Sequence, residues 1–330
     1  MSESETSKTC AYVRADGSRC PGPVEGDGDL CFWHDPEADK EGDDVRKRLE
    51  EWSKSGESME GFELRFARLE GAKLFHFEEY RDLSKANLFR ARLQGAKLFR
   101  LNFQGADLMK ADLSGATLNE ARMQGANILQ ASLDGARMER TEWGETCLQE
   151  DDARRLHKEG ESDKARETFL EAEEIYRLLR RCYDGAGRFE MAGHFFRKEM
   201  TMRRMCMPMW SVDRMWSKMV DMFCAYGESP PRVIGFSALL NLLCAVAYFA
   251  IGVNGPDGPM VFDADAGILA NLKQYGNCFY YSIVTFTTLG YGEITPPEGI
   301  LRPLAAFQAF IGAFMMAMFV AVFGKKMTRG

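Results

Sequence analysis

Three cysteines and a histidine near the start of the chain, Cys10, Cys20, Cys31 and His34, follow the spacing C-x9-C-x10-C-x2-H. Three thiolates and one imidazole meet the tetrahedral demand of a structural zinc ion. A segment this small has too little core to fold unaided, so bound Zn2+ is expected to supply its stability. A second candidate stretch runs Thr285-Phe286-Thr287-Thr288-Leu289-Gly290-Tyr291-Gly292-Glu293. Gly290 and Gly292, with one residue between them, suit a backbone that needs φ > 0. The sequence shows no P-loop, no nucleophile–base arrangement and no second metal cluster, so an enzyme is not expected.

The glycine-rich stretch lies between two apolar runs. Val233 to Gly252 and Leu304 to Phe323 contain no charged residue. Each is about 20 residues, enough to cross ~30 Å of hydrocarbon at ~1.5 Å per residue. Between them, residues from about Lys273 to Phe286 read as a short re-entrant helix. Non-helical backbone after such a helix is tolerated at membrane depth where protein buries it or where it lines a pore. Arg214, Lys218 and Arg232 precede the first run, and Lys325, Lys326 and Arg329 follow the second. The intervening loop holds Asp257, Asp263, Asp265, Glu293 and Glu298 against Lys273. The positive-inside rule then puts both termini in the cytoplasm of a multi-pass protein of the plasma (inner) membrane. The acidic loop would concentrate cations on the other side.

Residues 230–326 resemble the pore of two-transmembrane-helix potassium channels. The family pattern T-[VIL]-G-Y-G followed by an acid appears as Thr288, Leu289, Gly290, Tyr291, Gly292 and Glu293. The resemblance implies an all-α pore domain. In it, four filter segments replace the water around K+ with backbone carbonyls. Thr288, Leu289, Gly290 and Tyr291 would supply the ligands, Gly292 and Glu293 would shape the outer end, and Thr287 would support them. Tyr281 sits where an aromatic braces the filter tyrosine. Gly312 sits where the family carries an inner-helix hinge glycine. Val320 and Phe323 are candidates for the cytoplasmic constriction. Val284 departs from members that place a glutamate there to pair with the acid after the filter. One chain supplies one filter and two membrane helices, so a closed pore requires a homotetramer. No charged voltage-sensing helix precedes the first run.

Residues 1–61 hold sixteen acids and eight bases, within a net charge of −7 for the 330-residue chain. That balance does not suit nucleic acid. The first residues lack a basic n-region and an apolar h-region, so no signal peptide is expected. The spacing of Cys10, Cys20, Cys31 and His34 is similar to the WRC-type zinc module. The DNA-binding role of that module is not carried over to this acidic segment. We assign residues 1–36 to the zinc module and 37–61 to a charged linker, helix-compatible around Val45 to Trp52.

From Leu83 to Trp143, thirteen apolar centres recur every five residues, and ten of the thirteen have alanine two places before. A period of five fits neither a helix nor a strand. The unit A-[DN]-L-x-x, as in Ala106-Asp107-Leu108-Met109-Lys110, resembles the pentapeptide-repeat family. The resemblance implies a right-handed quadrilateral β-helix over residues 62–145, with Leu and Ala positions pointing inward. Leu64, Leu69 and Leu74 share the period out of phase, so a bulge or skewed coil is expected within His76–Asp82. Gly95, Gly105, Gly115, Gly125 and Gly135 alternate with Arg90, Arg100, Lys110, Glu120, Gln130 and Arg140, which predicts two turn types on alternate corners. Thirteen bases against twelve acids in residues 62–145 argue against a DNA-mimicking surface.

Ala165, Phe169, Ala172, Tyr176, Leu179 and Tyr183 mark one helix face. Asp184-Gly185-Ala186-Gly187 breaks it, and Phe189 begins a second helix, so residues 146–206 read as a helical hairpin. Residues 207–230 read as an amphipathic interfacial helix with Val212, Trp216, Met219 and Phe223 on one face. Gly227 and Pro230-Pro231 are expected to end it. Residues 231–330 form the pore domain, with membrane helices at about 233–252 and 304–323, a pore helix at about 273–286 and the filter at 288–292. The expected function is passive, selective K+ conduction, with the cytoplasmic parts serving assembly or gating through an unidentified protein or ligand. The alternatives are a membrane-anchored pentapeptide-repeat scaffold and a less selective cation channel.

Overall fold

The computed structural model describes residues 8–24, 28–76, 79–256 and 258–328. The chain divides into two compact units, Met1–Pro208 and Met209–Gly330.

The repeats of the first unit form a stack of parallel coils. Asn87 pairs with Asp107 and Asp107 with Asn127; likewise Arg92 pairs with Asp112 and Asp112 with Ser132. Four five-residue units therefore separate ladder partners. Among the described residues of the repeats, only one such pair, β1 (Arg81–Asp82) with β2 (Leu101–Asn102), is long enough to count as strands. Between bridges the chain turns, and the inward side chains are buried: Leu88, Leu93, Leu98, Phe103, Leu108 and their alanine neighbours. In the first coil the offset is larger, with Glu63 opposite Asn87 and Lys73 opposite Lys97. Four extra residues therefore enter between Leu74 and Leu83, where the phase slip predicted a bulge. Phe77 and Glu78 of that slip lie outside the described residues.

The expectation of two turn types fails. At the glycine corners Ala96 N–H donates to Leu93 O, and at the long-side-chain corners Ala91 N–H donates to Leu88 O, each at 3.0 Å. The third turn residue is left-handed in both, with φ 64° at Gly95 and 55° at Arg90. A type II pattern thus serves both corners. The ladder to the next coil fixes the turn, and side chains such as Arg100 and Lys110 adopt left-handed φ to satisfy it.

Both ends of the stack are covered. Residues read as a linker hold helix α1 (Val45–Ser55), with Val45 and Leu49 buried. Trp33 stacks on Phe62 at 5.3 Å and meets Trp52 edge-on at 6.4 Å. Glu63 N–H donates to Trp33 O at 2.7 Å, so the cysteine-rich segment, α1 and the first coil form one body. At the other end three helices replace the expected hairpin: α2 (Leu148–Lys158), α3 (Ser162–Gly185) and α4 (Phe189–Met205). Tyr183 of α3 accepts from Trp143 Nε1 at 2.8 Å and donates to Met138 O at 3.1 Å. The extra helix, α2, buries Glu150, whose carboxylate meets Arg154, Lys198 and the Tyr176 hydroxyl.

The second unit opens with α5 (Val212–Cys224), capped by Ser211 Oγ accepting from Arg214 N–H at 3.2 Å. Ala225 and Tyr226 are left-handed and end it. Pro230 and Pro231 start α6 (Pro230–Ile251) rather than ending α5, because proline suits the first helical turn, where no N–H partner is needed. A hairpin, β3 (Val253–Gly255) with β4 (Gly258–Met260), follows. Next come α7 (Ile268–Phe286), which starts five residues before the expected pore helix, and α8 (Leu301–Thr328). Helices α6 and α8 are long and apolar enough to cross a membrane, each with mean hydropathy 2.1.

Candidate functional site

The glycine-rich stretch begins where α7 ends. A helix C-terminus carries about −0.5 elementary charge, so cations are favoured there. Thr287 N–H and Oγ1 both donate to Ile283 O at 2.9 Å, closing the last turn. The chain then folds back on α7. Thr288 N–H donates to Thr285 O (3.1 Å), while Leu289 and Gly290 N–H share Val284 O (3.0 and 3.4 Å). Thr288, Gly290 and Gly292 have φ of 56°, 58° and 87°, whereas Leu289 and Tyr291 between them do not have positive φ. Among the described residues, no donor reaches the carbonyls of Thr288, Leu289, Gly290 or Tyr291. Unpaired carbonyls are costly unless water or a ligand meets them. A non-glycine in the left-handed region costs about 1–2 kcal/mol, so Thr288 marks a conformation its surroundings impose.

Glu293 accepts a 2.6 Å hydrogen bond from Tyr280 OH. Sequence reasoning missed Tyr280; Tyr281 was named as a brace for Tyr291. The Tyr281 ring packs edge-on against Tyr248 of α6 at 4.8 Å and is buried, while the Tyr291 ring is exposed. Within the chain Tyr281 therefore braces α7 against α6 and leaves Tyr291 uncovered. Val284 is buried. On α8, a Cβ at Gly312 would stand 1.9 Å from Phe286 O, so glycine is needed for the close approach of α8 to the end of α7. Val320 is exposed, and Phe323, also exposed, stacks on Phe319 at 5.5 Å.

Sequence reasoning also missed a polar group behind this site. Asn241 (α6), Ser282 (α7), Gln308 (α8) and Tyr248 (α6) are all buried and joined by hydrogen bonds. The visible signal was one amide in each apolar run; the run alone does not reveal that they meet.

In the first unit, the donor atoms of Cys10, Cys20, Cys31 and His34 all lie within 4.8 Å of one another and are buried. Cys20 Sγ is 3.8 Å from Cys31 Sγ, and His34 Nδ1 is 3.6 Å from Cys10 Sγ and 3.4 Å from Cys31 Sγ. His34 Nε2 lies 2.9 Å from Glu60 O, so this nitrogen carries the proton and Nδ1 faces the thiols with its lone pair. Cys31 N–H and Gly22 N–H point at Cys10 Sγ (3.3 Å) and Cys20 Sγ (3.4 Å), donors suited to thiolates. Tyr12 stacks on the His34 ring at 3.9 Å. The hydrogen bond with Cys20, aided by burial, pushes the Cys31 thiol up to about 11, and the same contact lowers Cys20. A cation among them would favour deprotonation of all three. The cluster can hold a metal ion.

Residues 237–329 match the family model described as ion channel, and residues 82–115 and 102–140 match pentapeptide repeats, in eight copies. Comparison with curated proteins returned no match. Among solved structures, the chain is similar to the pentapeptide repeat protein Rfr23 from the cyanobacterium Cyanothece 51142. The identity is 28% over 26% of this chain and 56% of that one, with a TM-score of 0.24. It is also similar to HetL, a pentapeptide repeat protein involved in heterocyst differentiation regulation in Nostoc sp. strain PCC 7120. There the identity is 34% over 24% of this chain and 35% of that one, with a TM-score of 0.22. A further pentapeptide repeat protein from Nostoc PCC 7120 gives 30% identity over 31% of this chain and 78% of that one, with a TM-score of 0.20. The chain thus spans little more than half of Rfr23 and about a third of HetL. By the two family models, the chain carries pentapeptide repeats in its first unit and an ion channel domain in its second.

Proposed function

We propose that this protein is one subunit of a homotetrameric potassium channel in the plasma (inner) membrane, with both termini in the cytoplasm. The observation that carries the reading is the run of four carbonyls, Thr288 to Tyr291, left without donors by a backbone of alternating handedness. Four such strands around an axis would offer K+ a stack of oxygen rings in place of water. One chain has only one strand, hence the tetramer. Glu293, held by Tyr280, would fix the outer end. In this reading Gly312, Val320 and Phe323 belong to the inner helix that opens and closes the pore.

The first unit would serve as a rigid cytoplasmic scaffold, a right-handed quadrilateral β-helix that assembles or gates the pore through an unidentified protein or ligand. Zn2+ is the ion we assign to Cys10, Cys20, Cys31 and His34. Tetrahedral zinc has S–S edges of about 3.8 Å and S–N edges of about 3.5 Å, set by bonds of about 2.3 and 2.0 Å. The separations of 3.8, 3.6 and 3.4 Å match those edges. His34 Nδ1 and the three sulfurs would be the ligands. The ion would tie the segment to the first coil through the contact of His34 with Glu60.

Liposomes loaded with K+ or Na+ test the channel reading. Flux of K+ well above Na+ is expected, and its loss in Gly290→Asp. A protein that assembles but shows no flux, and acts only through its repeats, would instead be a membrane-anchored scaffold.

A further inference from the structure

Each membrane-spanning helix carries a buried amide, and both amides meet on α7. Gln308 of α8 is 1% exposed, Ser282 of α7 0% and Asn241 of α6 7%. Gln308 Nε2 donates to Ser282 Oγ (2.7 Å), Ser282 O (3.1 Å) and Asn241 Oδ1 (3.2 Å). Its Oε1 accepts from Tyr248 OH at 2.7 Å. The Ser282 hydroxyl lies 2.9 Å from Asn241 O and 3.1 Å from Asn241 Oδ1, and Asn241 Nδ2 donates to Ser237 O at 2.8 Å. Every polar side-chain atom in this group has a partner. A fully satisfied network fixes one arrangement, because a partly broken one leaves amide groups bare in apolar surroundings.

The next turn of the same contact is equally restrictive. Gly312 follows Gln308 by four residues, and Phe286 follows Ser282 by four, so both pairs lie on facing stripes of α8 and α7. Gly312 has no room for a methyl group beside Phe286 O. Phe286 is the last residue of α7, and the strand with the free carbonyls starts just beyond it.

We propose that Gln308, Ser282 and Asn241, with the Gly312–Phe286 contact, form a seam through which the position of α8 sets the geometry and selectivity of the carbonyl strand. This rests on the channel reading and names how that site is regulated. Gln308 is a positioning residue, acting through Ser282. Gly312 serves the seam as the packing point of α8 against Phe286, the residue that precedes Thr287 and Thr288.

The test uses the full chain in liposomes, with K+ and Na+ flux measured in parallel. Wild-type flux that Gly290→Asp abolishes comes first; no flux in the wild type overturns the channel reading and the seam with it. Given flux, Gln308→Met, which removes all the hydrogen bonds Gln308 makes, is expected to raise the Na+/K+ flux ratio at least about fivefold, the factor that the net worth of even one hydrogen bond corresponds to. Ser282→Ala should raise it in the same direction, Ser282→Thr should keep the wild-type ratio, and the Gln308→Met/Ser282→Ala double variant should add little beyond Gln308→Met. A Gln308→Met channel whose ratio stays within about twofold of wild type, or a double variant whose effects add, overturns the proposal. Should Gln308→Met fail to assemble, Ser282→Ala carries the test, with an unchanged ratio as the contrary result. A purely structural role would lower thermal stability while leaving the ratio unmoved.

Discussion

At the scale of single residues, backbone handedness organises both units. Lys110 and Gly115 occupy the same turn position, with φ of 60° and 67°. A Cβ at Gly115 meets only Gly95 N at 4.0 Å, so the cost of alanine there is conformational rather than steric. Gly115→Ala is expected to lower stability by about 1 kcal/mol. Lys110→Gly should be nearly neutral, because relief of a similar strain is offset by about 0.4–1 kcal/mol of unfolded-chain entropy. Thermal unfolding of the two variants side by side checks both. The metal centre gives a sharper prediction. Purified protein should hold one zinc per chain, and His34→Ala should lose it and loosen the Trp33–Phe62 packing, seen as a change in tryptophan fluorescence. Metal analysis that finds none in wild type would remove the zinc assignment. That Cys10, Cys20, Cys31 and His34 would come together was legible from spacing, because donor chemistry restricts which side chains can share an ion. Tyr280 was not legible, because in Tyr280-Tyr281 the sequence does not tell which ring faces Glu293 and which faces Tyr248.

At the scale of elements, the five-residue period revealed the coil stack because every fifth residue meets the same core. Turn type was misjudged because residue identity at the corners was taken to decide it, whereas the inter-coil ladder does. Helix α2 escaped because its buried residues are Gln149, Glu150 and Ala153, which make no apolar stripe. Its docking depends on hydrogen bonds that only the folded arrangement discloses. Tyr183→Phe removes the acceptor for Trp143 Nε1 and the donor to Met138 O, so a loss of about 1–2 kcal/mol is expected in thermal or denaturant unfolding. Across the coils, Glu120 accepts from Arg100 at 2.7 Å and pairs with Arg140 at 2.5 Å. The hydrogen bond from Arg100 holds its carboxyl below the usual range. A depressed folded-state value means that the stabilisation is present above the unfolded carboxylate range and is lost as pH falls through the folded one. Glu120→Gln should therefore be less stable than wild type near neutral pH, by a small margin because solvent screens its partners, and the difference should vanish as pH falls through the folded carboxylate range in pH-dependent thermal unfolding.

At the scale of the whole molecule, hydropathy alone located α6 and α8, since long charge-free runs have few other uses. It did not disclose that Asn241 and Gln308, one amide in each run, converge on Ser282, because that meeting depends on how three helices pack. A pentapeptide-repeat unit, covered at one end by a cysteine-rich segment and at the other by three helices, shares the chain with an ion channel domain. We propose that the carbonyls of Thr288, Leu289, Gly290 and Tyr291 conduct K+ selectively. The most direct measurement is the ratio of K+ to Na+ flux into liposomes bearing the purified full-length protein, beside the Gly290→Asp variant. K+ flux well above Na+ flux is the expected result in the wild type, with neither flux in the variant. Equal flux of the two ions, or flux that survives Gly290→Asp, would contradict it.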